Sequence, residues 1–414
     1  MTVNSVIYVN QERLNNSISR LAEIGKLPDG GVRRIAYSPE DLQARELVKR
    51  WMTEAGMNVR IDAAGNMIGT YPGQVEKAPV LATGSHIDTV PSGGIYDGTL
   101  GVLAGIEVVR VFKENNIKLI HPLEVIVFTD EESTMLGSKA MSGNIVSNPE
   151  YYRRDDGTSI QACLERIGGN WDKLSTAQRS KSEIAAYLEL HVEQGVVLET
   201  VAKQIGIVSG IVGQNRFNIA ITGKANHAGT TPMEMRKDAL VAACQVVLTV
   251  NNLAINSQGD MVATVGAFNV WPNAANIIPA KVEMSLDVRD IYLYNIYNLA
   301  INLQKQISVI AANTQTKISM QPTLRVEPTL AKTEIKDAIA QSCRQLQLSY
   351  HHLPSRAGHD AQEIGKFTDM GMIFVPSVAG ISHSESEYTS AEQCSQGANV
   401  LLQSLIQLDQ LYPV

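Results

Sequence analysis

"APVLATGSHIDTVPSGGIYDGTLGVLAG", residues 78–105, is an apolar run that stops at His86, a Gly-rich loop holding Asp88 and Asp97, and the start of a second apolar run. A short continuous apolar stretch bounded by turn residues reads as a buried strand, and the run from Thr99 as the helix after it. The pattern recurs. "LEVIVFTDEES" (123–133) is another apolar strand ending in acids, and "YLELHVEQG" (187–195) ends in His191 and Glu193. Upstream, "PEDLQARELVKRWMTEAG" (39–56) is an amphipathic helix with Gly56 as its stop, and "MNVRIDAAGNMIGTYPG" (57–73) reads as strands with a turn. This alternation predicts an α/β fold, a mixed sheet with helices on both faces.

After residue 195 the character changes. "NRFNIAITGKANHAG" (215–229), the helix "KDALVAACQVVLTVNNLA" (237–254), the strands "MVATVGAFNVW" (261–271) and "AKVEMSLDVRD" (280–290), and the helix "YLYNIYNLAINLQKQISVIAANT" (292–314) follow in that order. They predict a small α+β sandwich inserted into the first domain. From about Thr329 helix and strand alternate again, so the expected division is a catalytic domain from 1–212 and 328–414 around an insertion at 213–327. A chain of 414 residues exceeds what one core usually organises.

Composition excludes several classes. The hydrophobic fraction of 44% and moderate charge are those of an ordinary globular protein. A formal charge of −7 without a Lys/Arg-rich run gives nucleic acid nothing to bind. No apolar stretch approaches the roughly 20 residues that span a bilayer, and "MTVNSVIYVNQERLNNS" (1–17) lacks a charged-then-apolar leader pattern, so a cytoplasmic protein with no membrane partner is expected. Cys163, Cys244, Cys343 and Cys394 form no CxxC pair and are expected to be buried free thiols.

In open α/β sheets ligands bind beyond the carboxyl ends of the strands. Strand ends and the loops after them supply His86, Asp88, Asp97, Asp130, Glu131, Glu132, His191, Glu193 and His383. Imidazole and carboxylate donors suit zinc, manganese, cobalt or nickel, and a bridging carboxylate with two ligand pairs assembles a two-metal site. Adjacent Glu131 and Glu132 point in different directions, so one can bind metal while the other handles protons. Asp88 is the weakest ligand candidate and is expected to orient His86. The Gly93-Gly94 and Asp97-Gly98 pairs permit positive φ, which would fold Asp97 back toward His86. Each residue taken singly has a blander reading as a helix cap or solvated group.

The segments "GSHIDTVPSGGIYDGTLGVLAG", "FTDEES", "ELHVEQG", "KANHAGTTPMEMRKDA", "NAANIIPAKVEMSLDVRD", "AGHDA" and "ISHS" together resemble the amidohydrolase branch of the M20 metallopeptidase-like family. That branch holds N-carbamoyl-L-amino acid hydrolases, β-ureidopropionases, allantoate amidohydrolases and ureidoglycolate amidohydrolases. The resemblance runs from about residue 8 to the end. It implies two divalent ions, Zn or Mn with Co or Ni as alternatives, bridged by Asp97, with His86 and His191 completing one site and Glu132 and His383 the other. It implies Glu131 as general base, and Asp88, read above as orienting His86, is counted with Glu131 and His227 among the catalytic residues. Gln194 would contact substrate, Gly358 and His359 would line the site, and Asn276 and Arg289 would hold a substrate carboxylate. His227 would reach the partner subunit's site in a homodimer built through the inserted lid, polarising the scissile carbonyl. Read without the resemblance, Arg289 could instead pair with Asp287 or Asp290, Asn276 cap a turn, and His227 sit in the lid core.

Three positions depart from the family pattern: Ile95 where an Arg is common, Arg356 where a small residue is usual, and Glu385 where "SHSESE" lacks the proline that often follows "SHS". The peptidase relatives generally carry a carboxylate where His191 stands, so the histidine favours ureido chemistry. The expected reaction is hydrolysis of the ureido C–N bond of an N-carbamoyl-L-amino acid to amino acid, carbon dioxide and ammonia. Allantoate or ureidoglycolate is the runner-up, then a dipeptide or acylated amino acid. A non-catalytic amino-acid-binding protein comes last.

Overall fold

The computed structural model describes residues 6–257 and 259–413. Residues 1–5, part of the stretch read above for a leader, lie outside the described residues. Among the described residues thirteen strands follow one another: β1 (Asn58–Ile61), β2 (Met67–Tyr71), β3 (Val80–His86), β4 (Leu123–Phe128), β5 (Ile184–Val192), β6 (Ile205–Ile211), β7 (Gly213–Thr222), β8 (Val262–Trp271), β9 (Lys281–Asp290), β10 (Lys317–Val326), β11 (Thr329–Leu330), β12 (Tyr350–Ser355) and β13 (Asp369–Val375). They fall into two compact units, one from Met1–Gly210 with Leu330–Val414, the other Ile211–Thr329.

The first unit is built on a mixed sheet in the order β1-β2-β4-β3-β5-β13-β6-β11, with β12 also paired to β6. Its centre, β4, β3, β5 and β13, is parallel. Four strands running the same way bring their carboxyl ends to one edge, which is where ligands collect in such sheets. All seven residues of β3, all six of β4 and all nine of β5 are buried, as strands covered on both faces must be.

Alternation divides the two faces. Leu81, Val125, Val127, Leu188, Leu190, Val192, Ile373 and Val375 join one large core with the helices Gln11–Ala22, Pro39–Glu54, Thr99–Glu114, Thr333–Gln345 and Ala391–Leu411. His86, Glu189 and His191 have the opposite parity and point to the other face. A smaller apolar cluster drawn from Leu136–Ser142, Ile160–Arg166 and Trp171–Ala177, with Ala36 and Tyr37, completes the unit. Of the cysteines, Cys163, Cys343 and Cys394 are buried as expected, whereas Cys244 is exposed.

The second unit is a four-stranded antiparallel sheet in the order β10-β7-β9-β8, with helices Ala239–Ile255 and Leu293–Thr314. The chain order βαββαβ makes it ferredoxin-like. In β7 the pattern alternates strictly between buried and accessible positions, so one face packs on the helices through Phe217, Ile219 and Ile221. β10 was not anticipated: "KISMQPTLRV" has five of its ten residues polar and a proline at Pro322, where its pairing with β7 shifts register. No helix among the described residues is long and apolar enough to cross a membrane.

Gly101 sets how closely the helix Thr99–Glu114 lies on the sheet. A Cβ there would stand 2.4 Å from the carbonyl oxygen of Leu190 and 3.0 Å from Ser85 Cβ. Ala gains about 1 kcal/mol over Gly in helix propensity, but overpacking against an immovable backbone costs about 1–3 kcal/mol. Gly101→Ala is therefore expected to lower the urea midpoint. An unchanged or raised midpoint would mean that the helix can move off β3 and β5 at no cost.

Candidate metal centre

His86 is the last residue of β3, His191 the penultimate residue of β5, and Glu131 and Glu132 follow β4 by a short turn. His383 lies in the loop after β13. Asp97 comes to them from the loop between β3 and its helix, and Gly98 is what lets it. Gly98 has φ +64, and a Cβ there would be 2.5 Å from the His86 ring. Only a glycine gives both the backbone and the clearance. Gly93 and Gly94 were expected to adopt positive φ as well, but neither does. Gly94 is needed for space instead, since a Cβ on it would stand 2.3 Å from Glu387 Oε1.

The donors converge. His86 Nε2 is 3.5 Å and His191 Nε2 3.2 Å from Asp97 Oδ1, while His383 Nε2 is 3.4 Å from both Asp97 Oδ2 and Glu132 Oε2. Two potential ligand groups, His86-Asp97-His191 and Asp97-Glu132-His383, thus share one carboxylate. A tetrahedral ion with ligands near 2.0–2.1 Å puts neighbouring donors about 3.3–3.4 Å apart, so the separations match the edges of such a polyhedron. All four exceed the roughly 2.9 Å of an ordinary hydrogen bond.

The imidazole tautomers fit as well. His86 Nδ1 lies 3.0 Å from the Asp88 carbonyl and His191 Nδ1 2.9 Å from the Val192 carbonyl. Each Nδ1 therefore carries a proton, and Nε2, on losing any proton of its own, presents a lone pair beside Asp97 where an ion would take it. Gly98 N–H donates to His191 Nε2 at 3.2 Å, consistent with that lone pair. The expected orienting role of Asp88 falls to its carbonyl. Its carboxylate, 3.9 Å from His86 Nδ1, accepts instead from the Glu132 N–H at 3.2 Å.

Charge is crowded here. Burial pushes Glu131 well above the carboxylate range against the pull of His86, with Asp360, Glu132 and Asp88 adding to the rise. Burial also lifts Glu132 to about 7. Burial opposes ionisation of Asp97, but hydrogen bonds from His191, His383 and His86 outweigh it and hold the group well below its usual range. The Asp97 hydrogen bond, above all, raises His383 to about 9. The protons on imidazoles that neutralise buried carboxylates are what divalent ions replace when they bind. The residues fit a metal. A third group, Glu189-His191-His359, also gathers donors. Its Glu189, however, is saturated by Ser85 Oγ, Tyr187 OH and Ala361 N–H at 3.0–3.1 Å.

Glu131 Oε2 lies 3.6 Å from His86 Nε2, beside the cluster but outside both ligand groups. Gln194, with φ +56, donates from Nε2 to Asp97 Oδ2 at 2.7 Å, and its amide oxygen is buried with no hydrogen-bond partner among the described residues. His359 is buried against His191, ring centroids 4.5 Å apart, and shares a 2.8 Å hydrogen bond between Nε2 and Ser355 Oγ. Because the Ser355 hydroxyl also donates to the Ala357 carbonyl, His359 Nε2 is the donor in that pair. Burial, with His191 adding to it, holds His359 well below its ordinary range. Gly358 is exposed beside it.

Two strand-end acids do not join the cluster. Glu193 accepts from the Val197 and Leu198 N–H groups at 2.7 and 3.0 Å, capping the turn that follows. Asp130 pairs with Arg154 at 2.9 Å. Ile95 packs against the main core, and Arg356 is exposed. Sequence reasoning missed Glu387, whose Oε1 accepts from the N–H groups of Tyr96 and Asp97. Its only signal was position, four residues beyond His383.

In the second unit His227 is exposed, and its Nδ1 accepts from the Gly229 and Thr230 N–H groups at 3.1 and 3.2 Å. Nε2 must then carry the proton and can donate outward. Asn276 is its neighbour, its carbonyl accepting from the Ala228 N–H at 3.0 Å. Arg289, on β9, donates from Nε to Asp287 at 2.9 Å, the pairing foreseen as its blander role.

A model of peptidase family M20/M25/M40 matches residues 82–407. An N-carbamoyl-L-amino acid amidohydrolase of Geobacillus stearothermophilus is 38% identical over 407 residues, 97% of this chain and 99% of that protein. An allantoate amidohydrolase of Bacillus subtilis is 34% identical over 401 residues, covering 95% of this chain and 97% of its own. The crystal structure of a hydantoinase/carbamoylase family amidase from Burkholderia multivorans superposes with a TM-score of 0.91 at 35% identity, covering 99% of this chain and 100% of that one. The chain belongs to the M20/M25/M40 peptidase family, in its amidohydrolase branch.

Proposed function

We propose that the chain hydrolyses the ureido C–N bond of an N-carbamoyl-L-amino acid, releasing the amino acid, carbon dioxide and ammonia. The observation that carries this reading is the shared Asp97, each of whose oxygens faces its own donor group, with the Glu131 carboxyl alongside. Two divalent ions held by His86, Asp97 and His191 and by Asp97, Glu132 and His383 would supply Lewis acidity and lower the pKa of water in the cleft.

The chain's own groups do the rest. Glu131, a carboxyl beside the cluster and outside both ligand groups, accepts a proton from the attacking water and passes it to the leaving nitrogen. Gln194 presents an unpartnered amide oxygen, the acceptor that a carbamoyl N–H requires. His359 and Gly358 line the site from the loop before Asp360. His227, with its proton on Nε2, is a neutral donor suited to the carbonyl oxygen, where a preorganised donor contributes on the order of 3 kcal/mol. Arg289, oriented by Asp287, and Asn276 bind the substrate carboxylate, for which the planar guanidinium is matched.

We further assign 213–327 as a lid and dimerisation segment set into a catalytic domain of 1–212 and 328–414, with His227 serving the partner subunit's site. The helix Ala239–Ile255 supports a homodimer: Val241, Leu248 and Ile255, one above another at every second turn, are 48%, 63% and 72% exposed. Allantoate is the second reading, favoured by the Bacillus subtilis relative.

Metal-free protein reloaded separately with manganese, zinc, cobalt or nickel is expected to release ammonia from N-carbamoyl-L-amino acids in preference to allantoate, ureidoglycolate or a dipeptide. Glu131→Gln should lower kcat by about 10²–10⁴-fold. Cleavage of the dipeptide alone, followed by free amino groups, would replace the ureido reading with a peptidase one.

Because His383 is held at about 9 and must lose its proton to become a ligand, metal uptake near neutrality should release protons. Affinity should then rise with pH below that value by about tenfold per unit for each proton displaced. Metal titrations in weak buffer with a pH indicator measure this, and uptake without proton release would contradict the ligand assignment of His383. Mixing His227→Ala with Glu131→Gln protein should restore part of the activity in heterodimers. Exchange of subunits with no recovery would place His227 outside the partner's site.

A further inference from the structure

Glu387 is 5% exposed and sits four residues beyond His383. Its Oε1 accepts from the backbone N–H of Tyr96 at 3.0 Å and of Asp97 at 3.1 Å. Its Oε2 lies 3.1 Å from the Ser382 hydroxyl, which is also 3.1 Å from Asp97 Oδ2. A single carboxylate thus grips the shared aspartate by its main chain and, through Ser382, faces its side chain. The groups it ties together are 290 residues apart in sequence.

Two further features are shaped around this contact. Gly94 makes room for it, since a Cβ there would stand 2.3 Å from Glu387 Oε1. The rings of Tyr96 and Tyr388, the residues next to Asp97 and Glu387, meet edge to face with centroids 6.1 Å apart. The loops so joined carry Asp97 and His383, whose 3.4 Å separation defines one edge of the second ligand group. His383 is itself 49% exposed with φ +52, so packing around its side chain does little to fix that distance.

We propose that Glu387 is a positioning residue for the metal centre: by accepting the Tyr96 and Asp97 N–H groups it sets the placement of the shared aspartate against His383. The proposal rests on the metal-centre reading above. One side-chain oxygen accepting two consecutive backbone N–H groups makes two directional hydrogen bonds that hold a ligand's backbone in place. Partners that orient ligands in this way typically contribute 10–100-fold to metal affinity. The competing account is that Glu387 merely staples two loops for stability.

Two variants separate geometry from charge and from folding. Glu387→Gln removes the charge but keeps an amide oxygen at the same reach for both N–H groups. Glu387→Asp keeps the charge but withdraws the acceptor by about 1.5 Å. Manganese and zinc affinities are measured by competition with a fluorescent chelator, without substrate, alongside the Tm of each metal-free protein. The expected result is that Glu387→Asp weakens metal binding about 10–100-fold while Glu387→Gln stays within about threefold of wild type, with both metal-free proteins melting within a few degrees of it. Equal affinity of Glu387→Asp and wild type would overturn the proposal alone, as would losses that follow the metal-free Tm. Wild-type protein that takes up neither ion would overturn the metal-centre reading together with it.

Discussion

Asp97 is a carboxylate 6% exposed, ringed by three imidazoles and flanked by Glu131 and Glu132. Such a group cannot be ionised in a dry interior unless nearly every lone pair is answered. His86 and His191 answer one oxygen, and His383, Gln194 and Ser382 the other. These five side chains arrive on three segments, the end of β3, the end of β5 and the loop after β13. Satisfying this one side chain therefore constrains the ends of β3 and β5, the loop after β13 and the glycine that turns the chain at Gly98.

The sheet meets that demand through direction and parity. Parallel pairing of β4, β3, β5 and β13 puts four carboxyl ends on one edge, and the period of two puts His86 and His191 on the same face. The opposite face carries the largest core, so the strands are anchored by apolar packing on one side while polar donors gather on the other. A register slip of one residue in β5 would move His191 into that core and expose Leu190 to the cluster. The close fit of the helix Thr99–Glu114 at Gly101 then fixes where the Asp97 loop must end.

Much of this was legible because it rests on local signals. Apolar runs ending in His or acid mark strand ends whatever the rest of the chain does, which is why His86, Glu131, Glu132 and His191 could be named from spacing. The limits are equally physical. Glu193 and Glu131 look alike at the end of an apolar run, but the first caps Val197 and Leu198, a partner choice set by the turn after it. Asp130 looks like a third acid of the centre until Arg154, 24 residues on, claims it. Glu387 works through backbone groups 290 residues away, a pairing that no periodicity records. β10 escaped because its pattern is half polar and broken at Pro322, so only β7 beside it makes it a strand.

The donor set bears on the chemistry proposed for it. The two ligand groups contain three neutral imidazoles and two carboxylates, so ions of total charge +4 would leave the centre at about +2 once each ligand is in its binding protonation state. A carboxylate in place of His191 would take away one unit of that charge. A ureido carbonyl is flanked by two nitrogens that both donate into it, which makes it a poorer electrophile than a peptide carbonyl. It needs the stronger polarisation. In the proposed reaction His191 would supply it by what it lacks, and His227, whose Nδ1 is occupied by two backbone N–H groups, would be a neutral donor rather than a second cation. The same reasoning bears on the proposed proton acceptor: beside so much positive charge an imidazolium would be repelled and driven to lose its proton early, whereas Glu131 on taking a proton becomes neutral.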